Sequence, residues 1–192
     1  LGRAIAQAFA QQGASLAVND LTPINLDETV KAIWAAGGQA RDYVFDISKK
    51  TPVQSMVQQV LDDWGRIDIL INNAGVAPQA AILDMDEWDW HRTVDVNLGG
   101  PFFMLQVVGR VMREQGGGVI VNIGAAEAWM QQLEKRAALV ASKTGLVGLT
   151  HAAAQELAAY GIRVYGVYPD ALEPGGDSTQ RIVREVLSKC AG

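Results

Sequence analysis

The residues of this chain best suited to chemistry gather around one lysine in its second half. Lys143 stands in the helix-like run Ala141–Thr150, and residues four apart share a helix face, so position 139 lies beside it. A cation there could lower the pKa of a neighbouring phenol and make it a base near neutral pH. Leu139 has no proton to transfer, and Gly-Ala-Ala at residues 124–126, which ends the preceding predicted strand, has no hydroxyl. Lys143 is therefore a ligand-binding side chain or a solvated helix lysine.

Polar residues follow two of the predicted strands. Asp20 ends the predicted strand 15–20, and Asn72–Gly75 directly follows the apolar run 67–71. Ligands gather at such carboxyl ends in doubly wound sheets. The Asp20 carboxylate could accept both hydrogen bonds of an adenosine ribose diol and would repel a 2′-phosphate. Since residues 21–23 offer no cation for that phosphate, NAD is favoured over NADP. The alternative for Asp20 is a turn residue before the following proline.

Strand-like and helix-like segments alternate along the whole chain. This order favours a parallel sheet covered by helices on both faces. The predicted strands are 15–20, 41–46, 67–71, 119–123 and 163–168, and the predicted helices are 1–12, 27–36, 51–64, 86–92, 96–115, 136–160 and 178–189. With no internal repeat or linker, residues 1–192 are expected to form a single domain.

Two of these segments closely resemble motifs of the short-chain dehydrogenase/reductase family. Asn72–Gly75 matches its Asn-Asn-Ala-Gly motif, and Ala141–Thr150 matches its active-site helix. The resemblance implies an α/β fold with a Rossmann-type doubly wound parallel sheet and NAD(P)-dependent hydride transfer between alcohols and carbonyls. It also implies an incomplete domain, because the chain opens on a helix. The first strand would be missing, Gly2 would be the last glycine of the family's Gly-rich motif, and the C-terminal end would be cut as well.

The resemblance also assigns a set of cofactor contacts. The expected contacts are Gly2, Asp20, Asp46, Ile47, Asn73, Ala74, Gly75, Lys143, Pro169 and Leu172. Lys143 would hydrogen-bond the nicotinamide ribose, the backbone of Leu172 would contact the nicotinamide amide, and the asparagines of the motif would tie neighbouring strand ends together. Two of the contacts have a second interpretation. Asp46 could cap the helix that begins near residue 51, and Gly2 could serve only close helix-to-strand packing.

The same comparison implies a gap in the catalytic set. The family's Tyr, four residues before its Lys, corresponds to Leu139, and its Ser to residues 124–126, where Ala125 and Ala126 stand. Lys143 and Asn97 are the catalytic residues that remain. Asn97 would hold a water of the proton relay, or else brace the backbone in a helix interior, where asparagine is intrinsically unfavourable.

Other side chains could supply the missing proton. Tyr168, at a strand's carboxyl end, could face the nicotinamide, and Glu127 lies with Trp129 in the loop that borders the substrate in the family. The sequence therefore predicts an oxidoreductase of this family whose hydride transfer is impaired. The alternatives are an NAD-binding pseudoenzyme and a structural subunit without turnover.

Composition limits the class of partner. Hydrophobic residues make up 49% and charged residues 19%, and the net charge of −5 argues against nucleic acid or an anionic membrane. The single cysteine, Cys190, excludes an internal disulfide and favours a reducing, cytoplasmic location. His91 and His151 have no nucleophile at motif spacing, and no residue cluster has metal-ligand spacing. Since family members commonly pair through the helices equivalent to 96–115 and 136–160, a homo-oligomer, or a hetero-oligomer with an active relative, is expected.

Overall fold

The computed structural model describes residues 1–126, 134–169 and 176–191. Its strands are β1 (Ser15–Asp20), β2 (Gln39–Val44), β3 (Ile69–Asn72), β4 (Gly118–Ile123) and β5 (Ile162–Val167). Its α-helices are α1 (Gly2–Gln11), α2 (Pro23–Ala35), α3 (Lys50–Trp64), α4 (Glu87–Val94), α5 (Gly100–Gln115), α6 (Ala137–Leu157) and α7 (Gly176–Cys190). A π-helical turn, Asp95–Gly99, joins α4 to α5, and a 3-10 turn, Ala158–Tyr160, follows α6.

The described strands form two parallel sheets. One sheet pairs β1 with β2, and the other has the order β3-β4-β5. The predicted parallel pairing of the strands is confirmed. The edge of β1 away from β2 and the edge of β3 away from β4 border the same cavity.

Helices cover both faces of the three-stranded sheet. Successive side chains of β4 point to opposite faces, so each face of the sheet packs against its own set of helices. Val121 and Ile123 pack on one face with the apolar sides of α1 and α7. Ile120 packs on the other face with α3, α5 and α6. Fully burying such a side chain contributes about 1.5–3 kcal/mol. The doubly wound arrangement predicted from the sequence is thus observed.

Several element boundaries differ from those predicted. Helix α2 begins four residues earlier than expected, at Pro23, since the fixed φ of proline suits the first helical turn. The predicted helix 96–115 is the π-helical turn followed by α5, and the predicted helix 136–160 is α6 followed by the 3-10 turn. Strand β2 ends at Val44, so Asp46 lies in the following loop. Gly13 has φ +86° and ends α1 as predicted.

The described residues also give information on membrane-spanning helices, metal sites and a reactive thiol. None of their helices is long and apolar enough to cross a bilayer. They contain no group of three or more His, Cys, Asp and Glu side chains placed to hold a metal ion. Cys190 is half-buried, and burial raises the pKa of its thiol to about 11, so the thiol is protonated and unreactive near neutral pH.

Candidate functional site

A cavity of about 1280 Å³ runs along the whole length of β1 and β3, between their open edges, and includes the carboxyl ends of both strands. This exceeds the usual volume of a ligand pocket, roughly 300–1,000 Å³, because it includes the gap between the two sheets. Every predicted cofactor contact that the structure describes lines it. These residues are Gly2, Asp20, Asp46, Ile47, Asn73, Ala74, Gly75, Lys143, Pro169. Leu172, the remaining predicted contact, lies outside the described residues. The topology thus brings together residues that are far apart in the sequence.

Asp20 lies at one end of this cavity, at the last position of β1. It is exposed, and its Oδ1 accepts a hydrogen bond from the backbone N–H of Thr22 at 3.0 Å. The turn role considered as the alternative is therefore present. It does not exclude ligand binding, because a carboxylate has two oxygens and about four acceptor positions.

Asp46 and Ile47 border the cavity from the loop after β2. Asp46 Oδ1 accepts from the backbone N–H of Ser48 at 2.9 Å. The suggestion that Asp46 caps the next helix is wrong, because α3 has Lys49 at its N-cap and no side-chain cap. Ile47 packs closely on α5: a Cβ built on Gly100 would lie 2.9 Å from Ile47 Cδ1. The loop after β2 is therefore fixed by the hydrogen bond between Asp46 and Ser48 and by the packing of Ile47 on α5.

Gly2 and the asparagine motif meet at the start of α1. A Cβ built on Gly2 would lie 2.6 Å from Asn73 Nδ2, so a larger residue here would require the Asn73 side chain to move. Gly2 thus lies directly against the Asn73 side chain and also lines the cavity.

Asn72 belongs to a buried chain of hydrogen bonds beneath the cavity floor. Its Nδ2 donates to Asn122 Oδ1 at 2.8 Å, and Asn122 Nδ2 donates to Thr150 Oγ1 at 2.9 Å. Asn72 ends β3, Asn122 lies in β4 and Thr150 in α6. The prediction that asparagines tie neighbouring strand ends together is confirmed for Asn72.

We expect Asn122→Ala to lower the free energy of unfolding by about 2 kcal/mol, because it leaves the buried Asn72 amide without its acceptor. Asn122 has no exposed surface, so water cannot replace the lost bonds without opening the core. Urea unfolding measures the change. The control is Gln54→Ala on the exposed side of α3, expected within about 0.5 kcal/mol of the unaltered chain. Equal losses in the two variants would mean that the network adds nothing beyond a surface amide.

Lys143 is buried, with 9% of its surface exposed. The interpretation of a solvated helix lysine is therefore wrong. Its Nζ donates to the backbone carbonyl of Ile123 at 2.8 Å. Burial lowers the pKa of the Lys143 ammonium from 10.5 to about 8, because the charged form loses hydration. None of the described carboxylates lies within ion-pair distance of it.

The neighbours of Lys143 in the cavity are apolar or small. Leu139 and Ala125 line the cavity with it and are each 3% exposed. Gly75 lies close enough that a Cβ built on it would be 3.8 Å from Lys143 Nζ and 3.3 Å from Asn97 Oδ1. A side chain at position 75 would therefore be in tight contact with Asn97 and in ordinary van der Waals contact with the lysine.

Asn97 lies behind the cavity wall, in the π-helical turn, and does not line the cavity. Its Oδ1 accepts from the backbone N–H of Val76 at 2.8 Å, and its Nδ2 donates to Val76 O at 2.9 Å and to Ser142 Oγ at 3.1 Å. The bracing role considered for Asn97 is therefore observed: it ties the irregular segment at Val76 to Ser142 of α6.

Of the two suggested substitute proton donors, the structure describes only Tyr168, which does not line the cavity with Lys143. The Tyr168 ring covers Gly124, since a Cβ on that glycine would lie 2.6 Å from Tyr168 Cδ1, and it does not line the cavity. Burial raises the pKa of its phenol, which makes it a weaker acid still. Glu127 and Trp129 lie outside the described residues. Pro169 is buried, and its carbonyl accepts from the backbone N–H of Ala126 at 2.9 Å.

One cavity residue escaped sequence analysis. Arg3 of α1 lines the same cavity as Asp20 and donates to Glu28 Oε2 at 2.8 Å and to Thr29 Oγ1 at 3.0 Å. Arg3 thus contributes to the cavity wall a positive charge that residues 21–23 lack. No local pattern reveals it, because its position depends on the packing of α1 against α2.

Comparison with known proteins identifies the class. Residues 1–183 match the family model for short chain dehydrogenase, and the chain belongs to this family of oxidoreductases. An uncharacterised oxidoreductase of Thermotoga maritima is 37% identical over 176 residues, covering 92% of this chain and 69% of that protein.

Two solved structures of similar fold carry cofactors. A metagenomic short-chain oxidoreductase in complex with NADP has a TM-score of 0.91 and 30% identity, covering 100% of this chain and 86% of that chain. An NAD⁺-bound xylitol dehydrogenase has a TM-score of 0.85 and 33% identity, covering 100% of this chain and 73% of that chain. The fold is thus one that binds nicotinamide dinucleotides, and the neighbours include both NAD and NADP complexes.

Proposed function

We propose that this chain binds NAD in the cavity at the carboxyl ends of its strands and is impaired in hydride transfer. One observation carries the proposal: the nine described contacts predicted for the cofactor line a single cavity. The adenosine ribose lies at Asp20, the adenine beside Asp46 and Ile47, and the nicotinamide ribose at Lys143. When bound, the dinucleotide supplies the hydride acceptor or donor, and the protein supplies its binding and orientation.

The impairment follows from the side chains beside Lys143. A lysine ammonium can orient a ribose and lower the pKa of a phenol, but Leu139 offers no phenol and Ala125 no hydroxyl. Asn97 already uses its amide to brace Val76 and Ser142, and it retains acceptor capacity for a water. NAD binding therefore persists while proton transfer to or from a small alcohol or carbonyl is slow. If no turnover remains, the chain is a cofactor-binding pseudoenzyme.

The choice of NAD over NADP rests on Asp20. Its carboxylate would face the 2′-phosphate of NADP, and the repulsion of two anions disfavours that ligand. The nearby cation Arg3 is already paired with Glu28. Since solved neighbours bind either cofactor, the preference of this chain is a matter for experiment.

We expect Asp20→Ala to weaken NADH binding about tenfold, through loss of charge-assisted hydrogen bonds to the ribose, and to improve NADPH binding relative to NADH. Calorimetric titration of both cofactors into both proteins measures this. Asp20→Asn is the matched control: it keeps the shape and one acceptor while removing the charge. Tighter binding of NADPH than NADH by the unaltered chain would overturn the choice of NAD.

We propose further that the chain forms a homo-oligomer, in the cytoplasm, through the helices predicted at 96–115 and 136–160. Within them, α5 and α6 present a shallow groove of about 320 Å³ with both apolar and charged walls. The exposed aromatic side chains Phe102 and Tyr160, each 44% exposed, stand at its rim. Aromatic groups rimmed by polar residues are typical of protein–protein contact surfaces. Sedimentation of the chain as a monomer at micromolar concentration would contradict this.

A further inference from the structure

Lys143 differs from the other lysines in that its amine is buried and faces a cavity. The exposed side chains of Lys31 and Lys49 each lie within ion-pair distance of an aspartate, Asp27 and Asp95. Lys143 Nζ has a backbone carbonyl, Ile123 O, as its hydrogen-bond acceptor, and Lys143 lines the cavity together with Leu139, which lies one helical turn before it. An amine desolvated in an apolar pocket is the usual setting of a nucleophilic lysine.

We propose that Lys143 is a carbonyl-reactive amine, which forms an imine with a small aldehyde or ketone that enters the cavity. This activity goes beyond the proposed function, in which Lys143 only hydrogen-bonds a ribose. It rests on the geometry of Lys143, Leu139 and Gly75, where the amine borders open space and no phenol or described carboxylate holds it.

The step balances without an oxidant or a reductant. The nitrogen lone pair forms a bond to the carbonyl carbon, and the π electrons of the carbonyl move to its oxygen. That oxygen takes up a proton while the nitrogen loses one, which gives a carbinolamine. The nitrogen lone pair then forms the C=N bond as the hydroxyl leaves with a proton, as water. A protonated imine keeps one N–H, which can still donate to Ile123 O.

The protonation state favours this reaction near neutral pH. With a pKa of about 8, Lys143 is about 9% free amine at pH 7, against about 0.03% for a lysine at 10.5. The pKa of Lys31, by contrast, is raised by its hydrogen bond to Asp27. The free-amine fraction at Lys143 therefore exceeds that of an ordinary lysine by a factor of roughly 300.

The test uses propanal as the probe, with sodium cyanoborohydride to reduce the imine to a stable secondary amine. Digestion and peptide mass spectrometry report the propyl adduct at each lysine. We expect the adduct at Lys143 to form at least about tenfold faster at pH 7 than at Lys31 or Lys49. Its rate should level off above pH 8, whereas the rates at the exposed lysines keep rising.

Two variants test whether the uncharged form of the Lys143 amine causes its fast labelling. Leu139→Asp places a carboxylate one helical turn from Lys143 and should slow labelling there about tenfold at pH 7, by stabilising the ammonium. Leu139→Asn is the matched control of similar size without charge, and circular dichroism reports whether either variant is folded. Labelling of Lys143 no faster than Lys31 and Lys49 in the unaltered chain would overturn the proposal.

Labelling in the presence of NADH distinguishes imine formation at Lys143 from the proposed binding of the nicotinamide ribose there. If NADH slows labelling at Lys143 but not at Lys31, both stand, since the ribose then occupies the amine. If Lys143 labels preferentially and saturating NADH has no effect, the imine chemistry stands and the placement of the nicotinamide ribose at Lys143 is overturned. If Lys143 shows no preference, the imine proposal fails, and NADH binding is decided separately by titration.

Discussion

The double variant Leu139→Tyr, Ala125→Ser is expected to reduce NAD⁺ with an alcohol at least about 100-fold faster than the unaltered chain. A positioned general acid–base group typically contributes a factor of about 10²–10⁴. Both positions line the cavity beside Lys143, and position 139 lies one helical turn before it on α6. The Lys143 ammonium would then lower the pKa of the introduced phenol, and the introduced hydroxyl would orient the substrate oxygen.

A panel of small alcohols serves as substrate, with NADH formation followed at 340 nm. The matched control is Leu139→Phe, Ala125→Ser, which adds the same ring without a hydroxyl. Enlarging a buried side chain typically costs about 1–3 kcal/mol, and the control experiences the same cost. If the two double variants bind NADH equally and turn over equally, the absent phenol is not what limits this chain.

Lys143→Met is expected to change how stability depends on pH. In the unaltered chain the pKa of Lys143 is about 8 when folded and 10.5 when unfolded. Between these values the unfolded state binds more protons than the folded state, so the free energy of unfolding rises with pH in that window. Below pH 8 both states hold the proton, and the full cost of burying the charge is present. Methionine has no such cost at any pH.

The unaltered chain should therefore gain about 3 kcal/mol relative to Lys143→Met between pH 7 and pH 10.5. Urea unfolding of both proteins across this range measures the difference, in which all other titrating groups cancel. Lys31→Met is the control, because the pKa of Lys31 is raised and its contribution is lost, not gained, as pH rises. Parallel pH profiles for the unaltered chain and Lys143→Met would contradict the assigned burial of the charge.

The fold and the main contacts of the site were predictable because the signals for them are local. Alternation of strand and helix patterns gives a parallel, doubly wound arrangement, and polar residues directly after strands must lie at the carboxyl edge. Asp20 and Asn72–Gly75 were found in this way, and they line one cavity. Leu139 was recognised as a neighbour of Lys143 from the period of the helix alone.

Other features depend on packing between distant segments, which local patterns do not encode. The burial of Lys143 depends on the contact of α6 with the end of β4, and the polar run around it is equally typical of a solvated helix face. The bonds of Asn97 in the π-helical turn to Val76 and Ser142 likewise join segments that are distant in the sequence. Arg3 joins the cavity only because α1 packs on α2.

The most direct test of a single dinucleotide site is a titration of NADH into the chain, followed by energy transfer from its five tryptophans to the reduced nicotinamide. Asp20→Ala and Lys143→Met alter the two proposed ends of the site. Saturable transfer that weakens in both variants is the predicted result, since the adenosine and nicotinamide ends belong to one ligand. Absence of saturable transfer, or saturation unchanged by both substitutions, would contradict the assignment of this cavity as the cofactor site.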